Sequence, residues 1–361
     1  MAELLESRHW ISEGAAQTLS RISEHAAHQG IDLRGHRIAI VGASAEMAPT
    51  AYFLRAGADV LWIDQRSPPE AWQKGCFPGR LYWPQEPIDL LTCPEAALAA
   101  LRSFSEEREV HVGLYAYAPG SMREFRLTGV MNAMIEAMPR AALASVGLLV
   151  SPTTPTRLTT TDQAASNAWW SSRSWWMSAL RVLGLLRPQA TLEGSYPVSD
   201  SVVTIQGASY QAAQYLGKTM MAEAWVAERI AREQTEELSG AAKKSMGITE
   251  DDHSAENHFF RVSANTAPIT QTRSLAHPVF AAAFEGARAL GVETFRPEFS
   301  QQVGGLLWMQ DWMSGESPLA QQRVHGGIHP MPYQLQSALY IAAAIGFVRR
   351  PWLLKGVFGR T

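Results

Sequence analysis

Cysteine is nearly absent: Cys76 and Cys93 are the only two in 361 residues. They stand well apart with no CxxC spacing, which excludes a disulfide framework and a cysteine-based zinc site and fits a reducing cytoplasm. Long hydrophobic runs are missing as well. The longest, "SALYIAAAIGFV" from Ser337 to Val348, is well short of the roughly 18 to 20 residues that cross a bilayer. The opening "MAELLESRHWISEG" carries acidic residues and no apolar core of signal-peptide length, so export is not expected and the expected location is cytoplasmic. No basic stripe accompanies the net charge of −3, which sets nucleic acid aside as a partner. No GxSxG elbow supports hydrolase chemistry, and no solenoid-length repeat is evident.

What is present is an alternation of apolar runs and helical patterns. "AAQTLSRISEHAAHQG" reads as an amphipathic helix closing on Gly30. "HRIAIVG" is a continuous apolar run bounded by turn residues, the mark of a buried parallel strand. "EMAPTAYFLRAGA" follows as a helix with Pro49 in its first turn, and "DVLWID" as a second strand. Strand, tight turn, helix and strand ending in Asp64 form the first unit of a doubly wound α/β sheet. Beyond it the pattern predicts a short strand reaching Asp89, a helix over "CPEAALAALRSFSEE", and strands at "VHVGLYAYAPG", "GLLVSPTTP", "SVVTIQGAS" and "RVSANTAPITQT". The expected organisation is an N-terminal helical segment (1–35), a Rossmann-like domain (36–280) with insertions at 155–200 and 233–257, and a helical C-terminal extension (281–361).

The turn after the first strand, "VGASAEMA", starts like a phosphate cradle and then departs from it. Glycines serve there because a Cβ blocks close approach to a diphosphate. Gly42 meets that need and Ser44 can donate a hydroxyl hydrogen bond, but Glu46, Met47 and Ala48 replace further glycines, and Glu46 sets a carboxylate near a diphosphate unless it turns away. Asp64 stands where a carboxylate binds a ribose 2′-hydroxyl, favouring NAD, whereas Arg66 would suit a 2′-phosphate.

Several segments, in order, resemble the short-chain dehydrogenase/reductase superfamily across residues 37 to 272. "VGASAEMA" looks like its glycine turn. "IDLLTCPEAALAAL" is similar to its Asp segment, which implies Asp89 beside the adenine, and "LYAYAPG" stands at its NNAG with Ala118 and Gly120 kept around Pro119. "GVMNAMIEAMPRA" resembles the helix carrying its Asn, here Asn132. "LLVSPTTP" resembles the strand ending in its catalytic Ser, here Ser151, and a competing register through "SVVTIQG" would favour Ser209. "RVSANTAPITQT" is similar to the loop that clasps the nicotinamide, which implies contacts from Pro268 and Thr270, with Ile269 in place of a glycine. For the family's YxxxK pair the sequence offers "SYQAAQYLGK": Tyr210 as acid/base is followed four residues on by Gln214, not Lys, while Lys218 lies one turn further. Either Gln214 or Lys218 would hold the ribose. The resemblance implies an NAD- or NADP-dependent oxidoreductase acting on an alcohol, a ketone or an activated double bond. The degenerate motifs keep two rivals open: a non-redox elimination, isomerase or lyase step using Ser and Tyr, and a non-catalytic nucleotide-binding protein.

Twelve tryptophans are many for this length, and four fall in "NAWWSSRSWWMSALRVLGLL". They read either as core or as an apolar wall, which implies a bulky hydrophobic small-molecule substrate. His325 and His329 in "RVHGGIHPMPY" lie in a Gly-rich loop, read as a lid or as plain structure, with no metal expected. His253 and His258 read as solvated. The cationic, apolar tail from Ser337 to Thr361 is expected to pack on the domain or on a twin subunit of a homo-oligomer, or to touch a membrane surface peripherally.

Overall fold

Apolar runs of five to eight residues form most of a parallel sheet: β1 (Arg37–Val41), β2 (Asp59–Ile63), β3 (Leu81–Tyr82), β4 (Val110–Leu114), β5 (Leu143–Val150) and β6 (Arg261–Thr266), in the order β3-β2-β1-β4-β5-β6. This is the doubly wound, Rossmann-like arrangement. The strands are largely apolar on both sides because helices cover both faces; β6 departs from this, with Ser263 and Asn265 buried. Ala39 and Val41 of β1 enter one core and Ile38 and Ile40 the other. The computed structural model describes all residues except 119, 121, 190–196, 229–259, 274–276, 315–322 and 359–361. The expected insertion at 233–257, with His253 and His258, and Pro119 lie outside the described residues.

Helices α1 (Ala2–Ser7) and α2 (Glu13–Gln29) precede the sheet, α2 being capped by Ser12 and ended by Gly30 at φ 71°. Then come α3 (Thr50–Arg55), α4 (Glu70–Gln73), α5 (Pro94–Ser105), α6 (Arg123–Glu136), α7 (Thr160–Ser172) and α8 (Trp175–Val182). Helix α9 begins at Ala208–Ala212, passes through a π-helical stretch Ala213–Thr219 and stays helical to residue 228. The chain closes with α10 (Pro278–Ala287), α11 (Pro297–Ser314), α12 (Leu335–Arg349) and α13 (Leu353–Phe358).

Helices α5, α6 and the far part of α9 fill one face of the sheet, where Leu101, Leu127, Met131 and Trp225 meet the strands. On the other, α3 and α11 bring Phe53, Leu54, Trp308 and Trp312. Gly113 of β4 and Gly147 of β5 are register partners. A Cβ on either would strike the Trp308 ring, at 2.8 and 2.6 Å, so the paired glycines form the notch that admits this indole.

Three expectations need correction. The third strand is Leu81–Tyr82 and ends before Asp89, which lies in the following loop. "SVVTIQGAS" is no strand: Thr204–Gln206 is a single 3-10 turn that leads into α9. Its Val-Val-Thr-Ile run has β propensity, but β6 already occupies the edge of β5, so no partner remains there for it. The helix after β1 starts only at Thr50, with Pro49 as its cap, and Gly42 to Pro49 form turns.

Candidate functional site

The chain leaves β1 toward β2 and β3 on one side and returns to β4 on the other. Crevices at such a reversal, beyond the strands' carboxyl ends, are where α/β sheets bind ligands. A cavity of about 770 Å³ opens here, running from Gly42 and Asp64 past Leu90 and Ala116 to Ser151 and Tyr210, then on to Phe284 and Leu339.

At its first end, Gly42 has φ +83°, and a Cβ on it would meet the Ala116 nitrogen at 2.3 Å. The glycine is thus required by the close passage of the chain leaving β4. Asp64 ties the turn to β2: its carboxylate accepts from the Ser44 amide (2.8 Å), the Ser44 hydroxyl (2.9 Å) and the Arg66 amide (3.1 Å). Glu46 turns aside to the loop after β6, where its carboxylate accepts from the Arg273 amide (2.7 Å) and lies 3.4 Å from the Arg273 guanidinium. Gly42, Ser44, Glu46, Met47, Asp64 and Arg66 all line the cavity. Asp89 does not; it accepts from its own loop at the Leu91 amide (2.9 Å), and Leu90 and Leu91 form the wall instead. Ala118, Gly120, Pro268 and Thr270 also line the cavity. The Thr270 hydroxyl donates to the Pro268 carbonyl (3.0 Å).

At the far end, Ser151 follows directly on β5 and its amide donates to Gln214 Oε1 (2.9 Å). The hydroxyls form a chain. Gln206 Oε1 can only accept, so the Thr153 proton goes to it (2.6 Å). Thr153 Oγ1 accepts from Gln211 Nε2 (3.1 Å) and lies 2.8 Å from Ser151 Oγ. The Ser151 proton can point to Thr153 or toward the Tyr210 hydroxyl beside it. Burial pushes the Tyr210 hydroxyl well above the ordinary tyrosine range. The Ser151 hydrogen bond opposes that, while the Glu124 carboxylate adds to it.

Gln214 and Lys218 both line the cavity and both reach Glu124, a buried carboxylate at the start of α6. Gln214 Nε2 donates to Glu124 Oε1 (3.2 Å), Lys218 Nζ lies 3.6 Å from the same oxygen, and the Ala118 amide donates to Glu124 Oε2 (2.8 Å). The π-helical stretch explains how Lys218 returns to the face of Tyr210. In a regular α-helix eight residues leave two side chains about 80° out of phase; a π turn holds one residue more and removes most of that offset. Asn132 does not line the cavity. Its Nδ2 donates to the Gly217 carbonyl within the π-helical stretch (3.0 Å), and a Cβ at Gly217 would meet the Thr128 methyl at 2.2 Å. Asn132 and Gly217 thus clamp α6 to α9. Ser209 is not among the cavity residues.

The rest of the cavity is mainly apolar. Phe280 and Phe284 of α10, Leu339 and Ala342 of α12, Val203 and Met331 form it. α10 and α12 lie against each other through Gly286 and Gly346, where a Cβ would come within 1.9 and 1.8 Å of the facing carbonyl oxygens. Of the core and wall readings of the tryptophan cluster, the core one fits three of its four members, and none of the four lines the cavity. Trp169, Trp170 and Trp176 pack on the α10 and α12 core, and Trp170 lies under Arg173 and Arg181, 3.5 and 4.0 Å from its ring centre. His325 and His329 are buried, with ring centres 4.5 Å apart, and His329 Nε2 donates to the carbonyl of Pro152, next to Ser151.

Sequence reasoning missed Glu124, Thr153, Gln206 and Gln211. Glu124 carried a signal: it shares the α6 face of Leu127, Thr128 and Met131, so the helical period places a carboxylate on the buried side.

No protein-family model matches the chain, and no curated protein does. Solved structures do. An NADH-dependent reductase, A1-R′, complexed with NAD is 12% identical, over 81% of this chain and 96% of that one, with a TM-score of 0.38. An apo SCOR enzyme from Clostridium thermocellum is 10% identical, over 81% and 93%, with a TM-score of 0.38. A GDP-L-fucose synthetase from Naegleria fowleri bound to NADP is 11% identical, over 88% and 81%, with a TM-score of 0.35. At such scores the likeness carries no argument of its own, and the fold rests on the strand order and crossovers above.

Proposed function

We propose that the chain is a nicotinamide-dependent oxidoreductase that interconverts an alcohol and a ketone, or reduces an activated double bond, on an uncharged apolar small molecule. The observation that carries this reading is the continuity of one cavity that joins the β1 turn, a tyrosine and serine hydroxyl pair, and an apolar compartment. The residues present suit the dinucleotide. Its adenosine end would lie between Asp64, Arg66 and Leu90, and its diphosphate over Gly42 and Ser44, where Glu46 is already turned aside to Arg273. The amides of Gly42, Ala43, Ser44 and Ala45 donate within the protein, as the Ser44 hydroxyl does to Asp64, so the amides of Glu46 and Met47 would be the donors to a phosphate oxygen, joined by the Ser44 hydroxyl where its proton turns from Asp64. Gln214 and Lys218 would hold the nicotinamide ribose.

When bound, the nicotinamide supplies or accepts the hydride. Tyr210 donates a proton to the substrate oxygen, and its raised pKa keeps that proton in place at neutral pH. Ser151 fixes the Tyr210 hydroxyl and, by turning its own proton from Thr153, gives the oxygen a second donor. Phe280, Phe284 and Leu339 exclude water from the rest of the substrate.

The Glu124 carboxylate favours a second reading. It offsets the Lys218 charge and opposes a phenolate at Tyr210, which suits an acid-assisted elimination or isomerisation without a cofactor. One experiment separates the two: purified protein with NADH or NADPH and a panel of uncharged aromatic and aliphatic ketones, followed by coenzyme absorbance, for wild type and Tyr210→Phe. Turnover in the wild type that vanishes in the variant, with coenzyme binding intact, supports the proposal. Turnover that survives in Tyr210→Phe removes that residue as the acid.

A further inference from the structure

Helix α12 is apolar on both sides, a pattern that belongs to buried or membrane-contacting helices. Residues Leu335 to Val348 carry no charge. The inner side packs on α10 and lines the cavity through Leu335, Ala338, Leu339 and Ala342. The outer side is exposed: Tyr340 and Val348, 57% and 81% exposed, share one face with Ala344 at four-residue spacing. Apolar surface continues past both ends of the helix. Beside its start, Val182 (87% exposed), Leu183 and Leu185 stand out at the tip of α8, anchored by buried Leu186 and by the Arg187 amide donating to Ser337 Oγ (3.1 Å). Beyond its end, Trp352 is 60% exposed, while Leu353 packs into the core.

Most of the charge around this face is positive. Residues 163–192 contain no Asp or Glu but include Arg173, Arg181 and Arg187; residues 317–361 contain none but include Arg349, Arg350 and Lys355. Arg173 and Arg181 lie over Trp170. Acids lie on this side as well: Glu285 of α10 is paired with Arg350 (2.9 Å), and Asp200 sits at the start of α12, where its carbonyl accepts from the Leu335 amide (3.0 Å).

We propose that this face lies on an anionic lipid surface, with α12 in the plane of the headgroups, its outer side chains and Trp352 in the acyl boundary, and Arg187, Arg349 and Lys355 toward phosphates. No described helix is long and apolar enough to cross a membrane, so the contact is an interfacial one. A second copy fits this face less well than a lipid surface does. Two-fold pairing along α12 would set the Arg181 and Arg187 end of one chain against the Arg349 and Arg350 end of the other, like charge on like. The same helix forms a wall of the cavity, so an apolar substrate in the bilayer and the compartment that receives it would be separated by one helix, about 10 Å. The membrane contact holds whether or not the cavity takes a nicotinamide.

The test is flotation of the full chain with vesicles of phosphatidylcholine alone or of phosphatidylcholine with phosphatidylserine, at low and high salt, beside sedimentation equilibrium without lipid. The wild type is expected to float with the anionic vesicles, to leave them at high salt and to bind neutral ones weakly. Leu183→Ser/Val348→Ser should weaken binding by about tenfold or more, and Arg187→Gln/Lys355→Gln by about fivefold for each cation removed. All four residues are exposed and lie outside the cavity, and Tyr340→Ser provides an independent apolar variant if the double one does not fold. Failure of the wild type to bind anionic vesicles at low salt, or undiminished binding by the apolar variants, overturns the proposal. So does a lipid-free dimer that the apolar variants dissociate, which would make a second copy the occupant.

Discussion

Replacing Glu124 with Gln tests the charge arrangement beneath the site. The carboxylate and the Lys218 ammonium are both almost fully buried and 3.6 Å apart. At an effective dielectric of about 20 their attraction is about 5 kcal/mol, much of it offset by the cost of removing both charges from water. Breaking such a pair from one side costs roughly 3 to 5 kcal/mol, because the remaining charge is left uncompensated. Lys218 borders the cavity and can turn toward water, so the lower end is expected: about 3 kcal/mol by urea denaturation. Lys218→Met alone leaves the buried carboxylate unpaired and should cost a similar amount, while Glu124→Gln/Lys218→Met removes both charges and should lie within about 1 kcal/mol of wild type, giving a coupling of about 5 kcal/mol in the double-mutant cycle. The single variant has a chemical signature as well. Glu124 adds to the upward shift of the Tyr210 hydroxyl, so its removal lowers that pKa and brings the alkaline limit of turnover to lower pH. Additive single effects below about 1 kcal/mol, with an unmoved alkaline limit, would refute the pairing and its influence on Tyr210.

Other predictions follow from the same geometry. Tyr210→Phe should lose turnover by at least about a hundredfold while thermal stability and coenzyme binding stay near wild type, as kinetics and calorimetry on one preparation would show. Burial holds His111 and His329 neutral, with pKa values down to about 3, and His325 well below its ordinary value. Acid therefore favours the unfolded chain: full stability is present above pH 6.5 and is lost as pH falls toward 3, by roughly 1.4 kcal/mol per histidine per pH unit. Urea midpoints at descending pH check this, and a flat profile between pH 6.5 and 4.5 would contradict it. Gly147→Ala sets a methyl against the Trp308 ring and should cost about 1 to 3 kcal/mol in the same assay.

Where physics acts locally, the sequence was readable. β1, β2, β4 and β5 are mainly apolar runs between turn residues, and Gly30 ends α2 at a positive φ that favours glycine. The reversal between β1 and β4 follows from that order, and with it the location of the cavity. What could not be read depends on distant partners. "SVVTIQG" has strand propensity, but β6 occupies the edge beside β5. Glu46 reads as an electrostatic obstacle to a diphosphate, and the partner that takes its carboxylate aside, Arg273, lies 227 positions along the chain. The choice between Gln214 and Lys218 dissolves in the π-helical stretch, which brings both to Glu124 and which no helical periodicity announces. The tryptophan cluster left core and substrate wall open; the side chains facing the cavity belong to α10 and α12, and Trp169, Trp170 and Trp176 pack on the core of that pair.

The central claim is that a dinucleotide diphosphate can lie over the turn from Gly42 to Met47. Titration of the purified chain with NADH and NADPH, followed by coenzyme fluorescence and by calorimetry, tests it most directly. Saturable binding of at least one of them below about millimolar concentration, weakened when Ser44 is changed to Val, is the predicted result. No binding of either coenzyme at millimolar concentration by folded protein would contradict the account and leave the cofactor-free reading in its place.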